Sequence, residues 1–231
     1  MLELSNLYSF YGSSAVLQGV DLEVGQAEVV SILGRNGVGK TTLLKTIMGL
    51  TDKTDGSIVF EGDDLVVKKT YQRAKCGIAY IPQGREIIPK FTVLENLVMG
   101  TYPREDGKRD IPQFIYDLFP VLWEMKDRKG GDLSGGQQQQ LAIGRALAMS
   151  PKILLLDEPT EGIQPNIVEQ IEGAILRLNE EFKLAIMLVE QNVEFARRAS
   201  KKFYLFDKGR AVASGEIDNL TDSLVSEHMA V

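Results

Sequence analysis

Short apolar runs separated by turn residues dominate the first third of the chain and predict strands. Between residues 2 and 33 these runs are divided at 11–14 and at 24–26, where Gly, Ser and Gln interrupt them. Further strands are predicted at 56–61 and 77–81. Residues 42–49 have helical spacing instead and stop at a glycine. The pattern therefore predicts strands with a helix inserted among them.

Helical patterning replaces strands between residues 84 and 149, which predicts an inserted helical subdomain. Thr92 and Glu95 form a capping box at the start of a helix over 93–100. A second helix is predicted over 116–125, and a third runs from 135 to 149. The second helix should bury one face that consists of Leu118, Phe119, Leu122 and Trp123.

Buried strands return after residue 150. The fully apolar runs 153–156 and 184–189 are typical of parallel strands covered on both faces, and Pro165 begins a helix that reaches about 181. Residues 203–206 and 211–213 predict a hairpin at a sheet edge. The α/β core is thus expected over about 1–83 and 150–231, with the helical subdomain over about 84–149, all within one domain of residues 1–231.

Composition narrows the partners that the chain could have. Lys and Arg total 26 against 32 for Asp and Glu, a net charge of −6, which argues against a nucleic-acid-binding surface. The single cysteine, Cys76, excludes an internal disulfide. No window reaches the roughly 18 apolar residues of a membrane span.

A glycine-rich stretch after the third predicted strand fits the phosphate-loop pattern G-x-x-x-x-G-K-[ST]. Its residues are Gly34, Arg35, Asn36, Gly37, Val38, Gly39, Lys40, Thr41 and Thr42. The backbone N–H groups of such a loop converge on a polyphosphate at a helix N-terminus. Lys40 would hold the β- and γ-phosphates of ATP, and the Thr41 hydroxyl would ligate Mg²⁺. A glycine-rich turn without a ligand is the alternative.

Two carboxylates follow the buried strand 153–156. Asp157 and Glu158 lie where the ligands of open α/β sheets bind. Asp157 would hold Mg²⁺ through water, and Glu158 would act as the general base that orients the attacking water. Solvated acids at a strand end are the alternative, which the phosphate loop upstream disfavours.

The pentapeptide Leu133–Gln137 distinguishes between classes of phosphate-loop ATPase. It consists of Leu133, Ser134, Gly135, Gly136 and Gln137. Together with the phosphate loop, Gln83 and the acidic strand end, it makes the whole chain resemble the ATP-binding cassette family. An unrelated phosphate-loop kinase would lack this pentapeptide. Ser134 and the amides of Gly135 and Gly136 would form a second anion-binding helix start, and Gln137 is expected to bind nucleotide with them.

The resemblance implies a phosphate-loop ATPase core with a mixed sheet, an antiparallel β subdomain and an inserted α-helical subdomain. It also implies that two cassettes sandwich two ATP molecules, the signature of one facing the phosphate loop of the other. Tyr11 matches the aromatic residue on which adenine stacks. Gln83 matches the glutamine that touches Mg²⁺ or the attacking water, and the helical subdomain would receive a membrane partner.

Two positions depart from the common family pattern. Gln191 replaces the usual switch histidine, and the only histidine, His228, lies near the C-terminus. A glutamine amide can hydrogen-bond the γ-phosphate but cannot become cationic. Glu161 and Gln164 replace a small residue and an aspartate in the segment that signals across the dimer. We therefore expect a less efficient ATP site that depends on a non-identical partner cassette, although a homodimer is also possible.

Both departures resemble the branched-chain amino acid and urea branch of importers. Residues 34–40, 82–87, 130–140 and 158–165 look most like the urea-transport cassette, with branched-chain amino acid import as the alternative. The implied partners are transmembrane permease subunits and, indirectly, a solute-binding protein, with the chain at the cytoplasmic face of the bacterial inner membrane. Cassettes of DNA repair or translation are the remaining alternative, but neither coiled-coil heptads nor a second cassette is visible.

Overall fold

A computed structural model describes residues 1–229, and it contains two sheets. The strands are β1 Leu2–Tyr11, β2 Ser14–Val24, β3 Val29–Leu33, β4 Lys53–Phe60, β5 Asp63–Asp64, β6 Ile78–Ile81, β7 Ile153–Asp157, β8 Ala185–Glu190, β9 Lys202–Asp207 and β10 Arg210–Glu216. The helices are α1 Lys40–Met48, α2 Thr70–Lys75, α3 Val93–Gly100, α4 Gln113–Leu118, α5 Pro120–Glu124, α6 Gly135–Leu147, α7 Pro165–Glu180, α8 Val193–Ala199 and α9 Asp222–Met229.

The larger sheet is mixed. Its order is β10-β9-β3-β8-β7-β6, in which β9, β3, β8, β7 and β6 are parallel and β10 is antiparallel at the edge. Every residue of β3, β7 and β8 is buried, because layers cover both faces of these central strands. This explains why they are largely apolar, with Ser31 as the one polar residue of β3.

The smaller sheet is antiparallel, with the order β2-β1-β4-β5. One core cluster joins this sheet to α1 and to one face of the larger sheet. Leu17, Ile32 and Leu43 belong to this cluster. A second cluster joins the other face to α3–α7 through residues such as Leu97, Leu141 and Leu188. The predicted fold class is therefore confirmed.

The region between β6 and β7 contains helices α3–α6 and a 3₁₀ turn over Gly130–Asp132. The predicted capping box is present at the start of α3, where Thr92 Oγ1 accepts from Glu95 N at 3.1 Å. Helix α6 packs on α3, and β6 and β7 on either side of the region pair in parallel. The predicted boundaries at residues 84 and 149 fall in this helical region and remain a prediction.

Residues 116–125 form two helices, so the single predicted helix is wrong. Pro120 begins α5, and a proline disfavours helical geometry at the residue before it; Phe119 accordingly has φ −133° and ψ 75°. Trp123 is 55% exposed rather than buried, because a face predicted for one continuous helix does not extend across the break. Its ring meets the edge of Tyr116 and carries Lys126 Nζ 4.1 Å from its centroid.

Candidate active site

The carboxyl ends of three neighbouring parallel strands meet at one edge of the larger sheet. In the register of the strands, Leu33 of β3 lies beside Glu190 of β8, and Asp157 of β7 lies beside Val189. Because parallel strands end at the same edge, the phosphate loop after β3 and the acidic residues after β7 lie together. Residues more than a hundred positions apart thus build one site.

The phosphate loop needs glycine where it leaves β3. Gly34 has φ +151°, and a Cβ there would lie 2.5 Å from Phe206 O of β9. Gly39 has φ +109° at the N-cap of α1, a conformation that side chains rarely adopt. These backbone requirements explain why the glycine pattern predicted the loop.

Lys40 is buried at the first position of α1, where it is 4% exposed. Its ammonium group donates to Gly34 O at 2.7 Å and to Arg35 O at 2.9 Å. It also pairs with Glu158 Oε1 at 3.3 Å. The loop therefore curls around its own lysine, whose charge is balanced by the carboxylate at the end of β7.

Asp157 is 1% exposed and accepts hydrogen bonds on both carboxyl oxygens. Thr41 Oγ1 donates to Oδ1 at 3.0 Å, and Tyr80 of β6 donates to Oδ2 at 3.3 Å. Burial raises the pKa of Asp157, an effect that these hydrogen bonds oppose. A hydroxyl and a carboxylate side by side are the hard oxygen ligands that Mg²⁺ prefers.

Glu158 is the centre of the site and is 8% exposed. Its Oε1 accepts from Gln191 Nε2 at 2.9 Å, and its Oε2 accepts from Gln83 Nε2 at 3.2 Å. Its φ of +47° is uncommon for a residue other than glycine, and its N–H donates to Val189 O at 3.0 Å. Glu158 is therefore in direct contact with both of the other residues predicted to be catalytic, Gln83 and Gln191.

The amides of Gln191 and Gln83 each reach a second acceptor. Gln191 Nε2 also donates to Asn36 Oδ1 at 2.8 Å, which joins the switch position to the phosphate loop. Gln83 Nε2 also donates to Glu161 Oε2, the carboxylate at one of the two unusual positions after β7. Both glutamines thus connect Glu158 to loops on either side of it.

A cavity of about 250 Å³ opens over these residues. Its lining consists of Val16, Asn36, Gly37, Gly39, Lys40, Thr41, Thr42, Gln83 and Glu158. Arg35 is exposed, the half-buried Val38 packs against the core, and both of these loop residues lie outside the cavity lining. The cavity lies where the loop pattern predicts a polyphosphate.

Tyr11 lies at the end of β1 and is 39% exposed, outside the lining of this cavity. Val16 of β2 lines the cavity, and the neighbouring Gln18 N donates to Gly209 O at 2.9 Å. The predicted stacking of the Tyr11 ring on adenine therefore remains a prediction.

The signature residues begin α6. Ser134 is the N-cap: its Oγ accepts from Gln137 N at 3.4 Å, and its own N–H donates to Gln137 Oε1 at 3.0 Å. Gln137, predicted to bind nucleotide, thus uses its side chain to close the cap. Gly136 has no space for a side chain, since a Cβ would meet Ile167 at 2.7 Å. Ser134 itself is exposed.

Sequence reasoning missed three side chains of the site. Tyr80 donates to Asp157, and Thr160 donates to Glu190 Oε1 at 2.9 Å. Glu190 is 4% exposed and ends β8 directly before Gln191. The only sequence signal was a charged residue closing an otherwise apolar strand, and its partner is thirty positions away.

Helices long and apolar enough to cross a membrane do not occur within residues 1–229.

Comparisons with known proteins agree with this geometry. The family model described as ABC transporter matches residues 17–161. The branched-chain amino acid transport ATP-binding protein BraG of Pseudomonas aeruginosa is 39% identical, covering 92% of this chain and 91% of its own. The probable branched-chain amino acid transport ATP-binding protein LivF of Archaeoglobus fulgidus is 37% identical, with 96% and 94% covered.

An export protein and a solved cassette are also similar. The lipopolysaccharide export system ATP-binding protein LptB of Haemophilus influenzae is 34% identical, covering 93% of this chain and 90% of its own. A dimeric post-hydrolysis structure of the cassette MJ0796 bound to ADP and Pi has a TM-score of 0.81 at 28% identity, with 94% and 99% covered. The chain therefore belongs to the ABC transporter family, as an ATP-binding subunit that hydrolyses ATP.

Proposed function

We propose that the chain is the ATP-hydrolysing subunit of a bacterial importer, with branched-chain amino acids as the solute. The observation that carries the ATPase part is Glu158, which contacts Lys40, Gln83 and Gln191 at the mouth of the phosphate-loop cavity. The importer part is supported by the two relatives named for branched-chain amino acid transport.

In this mechanism the phosphates of ATP displace an internal ion pair. The loop N–H groups and Lys40 bind the β- and γ-phosphates, so Lys40 exchanges Glu158 for the γ-phosphate. Glu158 is then free to accept a proton from the attacking water as general base. Gln191 and Gln83, which already reach Glu158, orient the water and the γ-phosphate.

The residues also fit Mg²⁺. Thr41 Oγ1 and Asp157 Oδ1 are 3.0 Å apart and would hold the ion, and Gln83, which lines the same cavity as Thr41, would contact it as well. A bound Mg²⁺ would neutralise charge that develops on the phosphates. It would also relieve the raised pKa of Asp157, since an adjacent cation favours the ionised carboxylate.

A second cassette would complete the site. Ser134, Gly135 and Gly136 form a helix start that lies outside this chain's own cavity lining, and they would grip the γ-phosphate held by another subunit. The dimer of the similar cassette MJ0796 supports this arrangement. The second subunit would be a non-identical cassette or a second copy of this chain.

Transmembrane permease subunits would dock against the helical region of about 84–149, which places the chain peripherally at the cytoplasmic face of the membrane. A cavity of about 390 Å³ supports this, because it is mostly apolar and lies where α3 and α6 of the helical region face β6, α2 and the end of α1. Tyr80, Ile81 and Arg85 connect its wall to the segment that carries Gln83. Movement of the helices would therefore reach the active site.

The experiment is uptake of labelled leucine, valine and urea by cells that lack this chain. Restored leucine and valine uptake with the wild-type gene, and none with Glu158→Gln, would support the proposal. Urea is the solute that the sequence motifs favoured, and restored urea uptake alone would replace amino acids as the solute. A lipopolysaccharide-export defect with normal uptake would overturn import, which the similarity to LptB makes worth measuring.

A further inference from the structure

Glu190 is a buried acid beside the active site that the mechanism above does not use. It ends β8, one residue before the switch position, and is 4% exposed. A carboxyl group in such a place costs stability unless it is well hydrogen-bonded. Its contacts therefore indicate what it does.

The two carboxyl oxygens of Glu190 serve different segments. Oε1 accepts from Thr160 Oγ1 at 2.9 Å, in the segment that follows Glu158. Oε2 accepts from Gln191 N at 3.1 Å and from Asn192 N at 3.3 Å. Asn192 in turn caps α8, where its Oδ1 accepts from Phe195 N at 3.1 Å. One carboxyl group therefore joins the loop after β7 to the turn after β8.

These two segments carry Glu158 and Gln191, the two side chains that must lie next to each other for hydrolysis. Gln191 is exposed, and among residues 1–229 its side chain is hydrogen-bonded only to Glu158 and Asn36, at 2.9 Å and 2.8 Å. Its backbone, by contrast, is fixed by Glu190. Because an error of about 1 Å in a reacting group can cost about 100-fold in rate, the anchor of this turn affects catalysis.

We propose that Glu190 is a positioning residue for ATP hydrolysis: its hydrogen bonds to Thr160 and to the Gln191 and Asn192 amides hold Gln191 in register with Glu158. This inference rests on the proposed roles of Glu158 and Gln191. What the position requires is hydrogen-bond acceptors for two N–H groups and a partner for one hydroxyl. Burial raises the pKa of Glu190, and the hydrogen bonds from Thr160 and the two backbone amides oppose this effect.

Two substitutions at position 190 differ in whether they keep these hydrogen bonds. Glu190→Gln keeps one oxygen for the two N–H groups and turns its amide N–H toward Thr160, whose hydroxyl can accept instead of donate. Glu190→Leu has a similar size and removes every hydrogen bond. In the complex purified through a tag on this chain, we expect Glu190→Leu to lower kcat about tenfold or more, with KM for ATP changed less than about twofold. Glu190→Gln should restore most of that kcat.

Glu28→Leu is a matched control for loss of a carboxylate. Glu28 directly precedes β3, at the end of the strand away from the active site. Its side chain is 13% exposed and accepts from Gly25 N at 2.6 Å. It should lower thermal stability while leaving kcat unchanged. Thr160→Val is a second variant that removes only one of the three bonds, and it should lower kcat less than Glu190→Leu.

The decisive arm repeats Glu190→Leu in a Gln191→Ala background. If Glu190 acts through Gln191, its substitution should lower kcat less than about twofold there, because coupled residues are not additive. An equal loss in both backgrounds, an unchanged kcat in the single variant, or a Glu190→Gln protein as slow as Glu190→Leu would each overturn the proposal. Normal turnover by Glu158→Gln would instead overturn the proposed function, independently of the result for Glu190.

Discussion

The phosphate-loop edge and the signature helix start differ in how many of their polar and charged groups are bonded within the chain. At the phosphate-loop edge, Lys40, Asp157 and Glu158 are buried and bonded to one another or to nearby loops. At the start of α6, Ser134 is exposed and its cap bond is 3.4 Å long. The first region is a closed network, and the second is a surface.

This difference indicates how ATP would act. Ligand binding at the closed network has to replace existing contacts, chiefly the pair between Lys40 and Glu158 at 3.3 Å. At the signature surface Ser134 is exposed, so a ligand can reach it without breaking an ion pair. Each of the following variants tests one side of this contrast.

Lys40→Ala should have the largest effect on the closed side. Removal of a buried cation that would contact two phosphates should weaken ATP binding by about 100-fold or more. Lys45→Ala on the same helix is the control, since Lys45 is half-buried and lies outside the cavity lining. Fluorescent-nucleotide titration of the full chain measures both, and equal affinities would contradict the role of Lys40.

Ser134→Arg tests the open side. A large side chain at the signature should lower kcat of the assembled complex by about 30-fold or more, because it blocks the surface that grips a neighbour's γ-phosphate. Nucleotide binding by the isolated chain should stay within about twofold of the wild-type value. Ser223→Arg, at an exposed serine of α9, is the control. Weakened binding in the isolated chain would show that Ser134 acts within its own subunit.

Gln191→His tests whether glutamine at the switch position makes the closed network less efficient in ATP hydrolysis. A histidine can carry a positive charge toward the γ-phosphate, so kcat of the complex should rise about two- to tenfold. The rise should be largest near pH 6, where histidine is protonated. Unchanged turnover across the pH range would contradict the expectation that glutamine makes this site less efficient.

Asp157→Asn, measured as the thermal stability of the nucleotide-free chain, should have the smallest of these effects. Because burial raises the pKa of Asp157 in the folded chain, the folded state binds more protons than the unfolded state above the ordinary pKa of 3.8. Stability is therefore lost as the pH rises from that value through the raised pKa. At pH 7 to 8 the nucleotide-free variant should melt a few degrees higher than wild type.

The advantage of Asp157→Asn should shrink as the pH falls toward 4. Thermal melts across this range, with Asp207→Asn as a control on β9, measure it. A lower melting temperature at every pH would show that the hydrogen bonds of Asp157 outweigh its burial.

The sequence was most informative where a site is built from consecutive residues. The phosphate loop and the pair Asp157 and Glu158 were predicted because backbone geometry and strand ends fix their residue types locally. Glu190 and Tyr80 were missed, because their contacts depend on strand register between distant segments. Trp123 was wrongly predicted to be buried, because the helix that would carry the buried face is interrupted at Phe119.

The fold was predictable for a related reason. Strands buried on both faces are largely apolar, so β7 and β8 were predicted as buried strands from the apolar runs 153–156 and 184–189. Their order in the sheet was not, because apolar runs carry no pairing information. The short helix α2 and the switch-following helix α8 have too few turns to give a clear period.

The most direct test of the account is ATP hydrolysis by the assembled complex that carries Glu158→Gln, with bound nucleotide measured in the same sample. Loss of the general base should slow phosphate release by about 100-fold or more while ATP remains bound. This result would confirm that Glu158, once ATP takes Lys40 from it, activates the attacking water. Phosphate release at the wild-type rate from Glu158→Gln would contradict it.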